Sequence, residues 1–580
     1  MHDLVITGGT VVDGTGGPAR RADIAIDGDV IVAVAEPGTL GAAHRTIDAT
    51  DLLVTPGWVD VHTHYDAQAT WDPELTPSGF HGVTSVVMGN CGVGFAPVAP
   101  ERRDWLIGLM EGVEDIPGAA MSDGIEWEWE SFEGYLDALD RRSFVCDVGT
   151  QIPHGALRTY VMGERGAAND EATTDDIEAM AALVESGLRA GALGFSTSRT
   201  GLHRSIDGEL VPGTTAGDDE IYGIGRGIAR AGHGVFEYSP EHRAVAEEFP
   251  WMRRLAEITG QPVTFNLNQS DQAPDYWRTS LDHLERAAAD GLPIYAQVAG
   301  RAIGILFAFD LTLHPFVFAP AWGDLALMDP AERRRAVQRD DVRDALTSGE
   351  RIALGGSDFA TFVSTTWSRM FPFRGDASYE PGPEQSVAAI AARDGRDPAA
   401  VAYEVLAADG GGGPGTGMLY FPLFNYAYGD LELTRELQMH PQTRMGLSDG
   451  GAHCGAVCDG GMPTFMLSYW ARDRSEGSGR LALEHVVHRQ TAQTAALYGL
   501  HDRGVLAPGM RADVNVIDFD RLGVEAPEIV YDLPSGARRL LQRAHGYRHT
   551  ICRGVVTVTD DAFTGERPGR LIRGPQGVGS

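Results

Sequence analysis

The chain has 580 residues, 43% of them hydrophobic and 8% aromatic, the composition of an ordinary globular protein with room for more than one domain. Its 81 acidic and 47 basic residues give a formal net charge of −34, which argues against nucleic-acid or anionic-membrane binding and predicts a well-solvated surface. No apolar run reaches the length of a membrane helix, and Met1-His2-Asp3-Leu4 has no basic segment leading into an apolar one, so no signal peptide is expected and the expected location is cytoplasmic.

Every basic residue is arginine; the chain contains no lysine. A carbamylated lysine cannot bridge metals here, and no lysine can form a Schiff base. The five cysteines, Cys91, Cys146, Cys454, Cys458 and Cys552, are odd in number and scattered, which argues against a disulfide framework. Cys454-x-x-x-Cys458 lacks the second pair that a zinc knuckle needs.

Residues 1–56 read as short strands with tight turns. Leu4 to Gly14 is strand, glycine turn, strand, and Ala22 to Val34 is a hairpin turning at Asp27-Gly28. This segment is too small to hold a core alone. Strand-like stretches recur at Ala512–Asp518 and Thr550–Val558, so residues 501–580, which end in a C-terminal tail, are expected to close with 1–56 into one small β-sandwich.

The apolar run Leu52 to Val61 reads as a buried strand ending in His62-Thr63-His64. In a strand His62 and His64 share a face, with Asp60 on the same side. Two imidazoles with a carboxylate behind them are half of a metal site. With 18 histidines in the chain, roughly 0.6 H-x-H pairs are expected by chance, so context has to carry the motif.

Residues 57–500 alternate strands with helices. A helix starts at Thr174-Asp175-Asp176-Ile177, runs its apolar face through Met180, Leu183 and Leu188, and stops at Gly191. Strands follow at Ala192–Ser196, Gly234–Ser239, Pro262–Asn268 and Pro293–Val298, with helices between them. This repetition suits a (β/α)8 TIM barrel, whose strand C-termini face the active-site mouth. Residues 305–440 break the rhythm and contain Gly410 to Gly415, which predicts an insertion or lid.

Several strand ends carry candidate residues. Cys91, in a glycine-rich strand end, reads as a metal ligand or as a small buried hydrophobe. Asp449, in Ser448-Asp449-Gly450-Gly451, follows a strand and reads as a functional residue or as a turn-former. Gln297 and Arg301 end one strand, and Arg301 suits bidentate capture of a substrate carboxylate or a structural ion pair. Arg199 has the same two readings. His453 lies on the loop where substrate would sit. Asn266 and Asn268 alternate with Phe265 and Leu267, which turns the asparagines inward toward substrate or water. Glu237 shares a face with Ser239. His485-x-x-His488 reads as structural or surface, and Ser357-Asp358 as a decoy of the Asp449 motif or a lid element.

The chain resembles the amidohydrolase superfamily, in its N-acyl-D-amino-acid deacylase (D-aminoacylase) branch. The resemblance runs through Ile6 to Gly16, Pro56 to Asp66, Gly82 to Gly92, Trp127 to Phe132, Gly446 to Gly450 and Asp502 to Asp513. The Asn90-Cys91-Gly92 element is the most specific, because most of the superfamily bridges metals with a carbamylated lysine. The resemblance implies a metal-dependent hydrolase of a non-peptide C–N bond, with a small amide as substrate and an N-acyl-D-amino acid as the simplest choice. Zinc would be held by His62, His64, Cys91 and Asp449, with Asp449 moving protons as general base and acid.

The deacylases also carry histidines at the ends of strands five and six. Here those places fall at Ser239 and near Leu267, and the lysine that follows is replaced near Gln269. The implied centre is therefore reduced, with one zinc ion rather than two and Glu237 as a candidate replacement ligand. Gln297, Arg301, His453, Asn268, Arg199 and Glu237 are the candidate substrate contacts. A cyclic-amide hydrolase or deaminase, a catalytically silent ligand-binding barrel, and a homo-oligomeric state are the alternatives left open.

Overall fold

A computed structural model describes residues 1–578 apart from Arg243, 353–357, 375–377, Glu476 and Ser478. Ser357 of the Ser357-Asp358 pair therefore lies outside the described residues. Asp358 begins a helix, Asp358–Thr365.

Eight parallel strands form the central barrel: β1 (Trp58–Asp60), β2 (Val83–Met88), β3 (Asp147–Pro153), β4 (Gly194–Ser198), β5 (Val235–Ser239), β6 (Val263–Asn266), β7 (Ile294–Val298) and β8 (Thr443–Met445). Each pairs with its sequence neighbour, from β1 through to β8. The last seam closes just beyond the strands. His64 N–H donates to the Gly450 carbonyl at 2.8 Å, and Asp449 N–H to the His62 carbonyl at 3.2 Å.

The helices pack outside the barrel. Two matter below: α1 (Arg103–Glu114) and α2 (Thr174–Ala190). Helix α2 is capped by Thr173, whose hydroxyl accepts from Asp176 N–H at 3.2 Å while the Asp176 carboxylate accepts from Thr173 N–H at 2.9 Å. Met180, Val184 and Leu188 then face the core, and Gly191 ends the helix.

The expected buried strand over 52–61 is two strands. Leu53–Pro56 belongs to the terminal sheet and Trp58–Asp60 to the barrel. The chain changes partners at Gly57, where a Cβ would lie 2.2 Å from Thr84 Oγ1, so only glycine permits the close crossing. Both chain ends enter a single nine-stranded sheet in which Val514–Ile517 pairs antiparallel with Leu53–Pro56. The expected two-part terminal domain thus takes the form of one hydrogen-bonded sheet with its own core around Ile6, Ile24, Val54, Val514 and Ile551. Buried Arg503 joins it to the barrel floor, donating to Asp147 at 2.9 Å and to Ser85 at 2.7 Å. The tail returns beneath β3, where Ile572 N–H donates to the Val148 carbonyl at 2.8 Å.

The segment after β7 is the insertion. Strands Ile303–Phe307, Phe371–Phe373 and Met418–Phe424 make a small antiparallel sheet. With its helices it holds a separate core that includes Phe309, Phe316, Trp322, Tyr403 and Phe421. His485 and His488 are structural, as expected: they contact the carbonyls of Gln438 and Gly14 at 3.2 and 2.8 Å. Among the described residues no helix is long and apolar enough to cross a membrane.

Candidate metal centre

The barrel seam brings the two histidines to Asp449. His62 and His64 leave β1 side by side with ring centroids 5.4 Å apart. Cys91 follows β2, and a ligand atom from each of His62, His64 and Cys91 lies within 4.8 Å of the others. His62 Nε2 is 3.4 Å from Cys91 Sγ and 3.4 Å from Asp449 Oδ1, and His64 Nε2 is 3.8 Å from the same oxygen. The backbone is strained where it aims these groups. Cys91, Leu447, Asp449 and His453 are non-glycine residues at φ 56°, 60°, 49° and 52°, conformations costing about 1–3 kcal/mol each that cluster at functional sites.

Carboxylates surround the cluster. Glu114 Oε1 lies 3.4 Å from His64 Nδ1, and its Oε2 lies 3.7 Å from His453 Nε2. Glu237 sits under the cysteine and accepts its backbone N–H at 2.8 Å. Asp449 Oδ1, Glu114 Oε2 and Glu237 Oε1 are buried and make no hydrogen bond. Among the described residues no arginine ion-pairs with any of the three.

Burial dominates their protonation. It pushes the carboxyls of Asp449 and Glu237 each up to about 8 and raises Glu114 and the Cys91 thiol well above their ordinary ranges. It also lowers His62 to about 4, against the opposing hydrogen bond from Gln297. Two imidazoles, a thiol and unpaired carboxylates without a fixed cation fit a divalent ion, which would supply the missing charge and favour the deprotonated ligands. The nitrogen, sulfur and oxygen donors are those zinc takes.

The cluster opens into a cavity of about 680 Å³. Asn268, Ser239, Asn266 and His453 line it, so the strand-five position that lacks histidine faces the site, and on strand six the asparagines on either side of buried Leu267 do. Asn266 Nδ2 points at Cys91 Sγ, 3.6 Å away. The insertion supplies the apolar wall through Ile303, Ile305, Leu313, Phe359, Leu423 and Phe424.

Four expected substrate contacts are placed elsewhere. Gln297 is fully buried, and its Oε1 lies 2.7 Å from His62 Nδ1, so it supports His62 and does not reach the cavity. Arg301 is fully buried against Asp459 at 2.9 Å and over the Tyr379 ring at 3.5 Å, which makes it a structural ion pair. Arg199 donates to the Ala216 carbonyl at 3.0 Å and packs over Trp251. Glu237 is fully buried, with one oxygen committed to the Cys91 amide.

Sequence reasoning missed Glu114, His203 and His242. Glu114 had a signal: it continues the apolar face of α1 that Ile107 and Met110 set, an odd place for a solvated acid. His203 and His242, on the loops after β4 and β5, also line the cavity and had none beyond that position.

A family model described as the Amidohydrolase family matches residues 45–558. The D-aminoacylase of Alcaligenes xylosoxydans xylosoxydans is 27% identical over 98% of this chain and 97% of its own. The N-acyl-D-glutamate deacylase of the same organism is 30% identical over 98% and 96%. A crystal structure of D-aminoacylase shares the fold at a TM-score of 0.65, with 24% identity over 99% of this chain and 100% of that one. The zinc and phosphonate-inhibitor complex of the N-acyl-D-glutamate deacylase from Bordetella bronchiseptica does so at 0.62, with 23% identity and 99% of each chain covered. The chain belongs to the amidohydrolase family.

Proposed function

We propose that this chain hydrolyses a non-peptide C–N amide bond, with N-acyl-D-amino acids as the substrate class and one zinc ion held by His62, His64, Cys91 and Asp449. The observation that carries the reading is the meeting of His62, His64 and Cys91 within 4.8 Å beside Asp449, at the floor of a cavity large enough for an acylated amino acid. The deacylase relatives support the substrate class. The ligand supply supports a single ion, because the places near Ser239 and Leu267 carry no further histidine ligands.

Zinc, when bound, polarises the carbonyl and acidifies water. Asp449 accepts the proton of the attacking water as oxygen adds to the carbonyl carbon. It returns that proton to nitrogen as the C–N bond breaks, so acid and free amine leave. Gln297 holds His62 from behind, and Asn268 and His453 offer polar contacts to substrate.

The test is metal content by elemental analysis together with turnover of N-acyl-D-amino acids, their L-isomers and cyclic amides. Stoichiometric zinc that disappears in a His62→Ala/His64→Ala variant, with turnover of the D-series, is expected. Metal unchanged in that variant would sink the site. Turnover confined to cyclic amides would replace the substrate class, and neither metal nor turnover would leave a silent barrel.

A further inference from the structure

Glu114 has no place in the ligand set or the proton transfer, yet it is an acidic residue only 1% exposed. It is the last residue of α1, and the helix end is tied to the loop after β8. His453 N–H donates to the Glu114 carbonyl. Gly455 N–H donates to Asp115 Oδ2 at 3.1 Å, and Thr312 Oγ1, from the insertion, to Asp115 Oδ1 at 2.9 Å. Asp115 turns the chain out of the helix at φ 51°.

This docking drives the Glu114 carboxylate between two histidines of different kinds. Oε1 is at ion-pair distance from Nδ1 of His64, whose Nε2 faces Asp449, and Oε2 is at ion-pair distance from Nε2 of His453, which lines the cavity. The His64 Nδ1 makes no hydrogen bond. His62 has its own rear support in Gln297; Glu114 is the group placed to do the same for His64.

We infer that Glu114 is a positioning residue that holds His64 by Nδ1, so that Nε2 presents to the metal, and with its other oxygen fixes His453 at the cavity wall. This rests on the metal reading above. Ligating histidines characteristically give their second nitrogen to a carboxylate, which sets the tautomer and makes the ligand more basic. One carboxylate serving a ligand and a cavity residue would couple metal binding to substrate binding.

The experiment compares Glu114→Ala, Glu114→Gln, His453→Asn and the Glu114→Ala/His453→Asn double variant. Zinc affinity is read by competition with a chromophoric chelator, and KM and kcat separately on an N-acyl amino acid. Glu114→Ala is expected to weaken zinc about 10–100-fold, and Glu114→Gln, which keeps an acceptor, less. His453→Asn is expected to raise KM with zinc affinity intact, and to raise it less when added to Glu114→Ala than when added to the wild type. If Glu114→Ala does not fold, the near-isosteric glutamine variant carries the same comparison. Wild-type zinc affinity in the Glu114 variants overturns this inference and leaves the metal reading standing. A wild type that binds no zinc overturns both.

Discussion

Gln297→Leu tests whether the metal centre is built from the barrel interior as well as from its ligands. Gln297 is fully buried on β7, with its Oε1 2.7 Å from His62 Nδ1. His62 Nε2 faces Cys91 and Asp449, so Nδ1 carries the hydrogen and Gln297 accepts it. Leucine has nearly the same volume and no acceptor, and it leaves a buried N–H unpaired. That costs about 1–3 kcal/mol, which matches the roughly 10–100-fold loss of metal affinity expected when a ligand's rear partner is removed. Gln297→Glu keeps an acceptor and is expected to retain affinity. Gly446→Ala acts on the same bond from the other side, because a Cβ there would stand 2.7 Å from Gln297 Oε1. The assay is zinc competition on variants whose thermal midpoints match the wild type. A folded Gln297→Leu protein with wild-type zinc affinity would refute the role of this hydrogen bond.

Asp449→Asn should lower kcat about 10²–10⁴-fold, the usual worth of a positioned proton carrier, while the other three ligands retain metal; elemental analysis of the same sample checks the separation. His81, away from the metal, is buried between Thr464 Oγ1 and the Gln542 carbonyl at 2.8 and 3.0 Å, and burial lowers it from 6.5 to about 4. Its folded-state value is below its unfolded one, so the stability it contributes is complete above about pH 6.5 and is lost as pH falls toward 4. At about 1.4 kcal/mol per unit the loss is on the order of 3 kcal/mol. Urea unfolding of wild type and His81→Asn at pH 7 and pH 5 should show the variant losing less, and equal losses would refute the assignment. Arg301→Met should destabilise by about 3–5 kcal/mol, because Asp459 is left buried and unpaired, yet leave KM unchanged in folded enzyme. A raised KM with unchanged stability would restore Arg301 as a substrate contact.

What could be read from the sequence was what local spacing controls. The βα alternation, the capped start of α2 and its stop at Gly191 follow from periodicity and backbone preference within one element. His62 and His64 were legible because two residues of extended chain place them on one face. Cys91 and Asp449 needed the resemblance, since nothing local says that the end of β2 and the loop after β8 meet. The substrate-contact readings of Arg301 and Gln297 failed for a common cause. Arg301 was weighed without Asp459, which lies 158 residues away, and Gln297 without His62, 235 residues away. A buried polar side chain at a strand end looks the same in sequence whether it faces substrate or a partner. Glu114 differed, because its conflict with the apolar face of α1 was visible locally and only its partners were not.

The seam between β8 and β1 explains why His62, His64 and Asp449 sit where they do. The two strands do not pair with each other, and the barrel closes beyond them through the backbone of His62, His64, Asp449 and Gly450: His64 N–H to Gly450 and Asp449 N–H to His62. This pair of backbone bonds spans the seam and sets the imidazoles against the carboxylate at 3.4 and 3.8 Å. Because these bonds are made by the main chain, truncating the His64 side chain removes a ligand and leaves the closure bond in place. Loss of metal and loss of fold are separable at this position, and the left-handed backbone at Asp449 is the cost of turning its carboxylate back toward the histidines after the seam has closed.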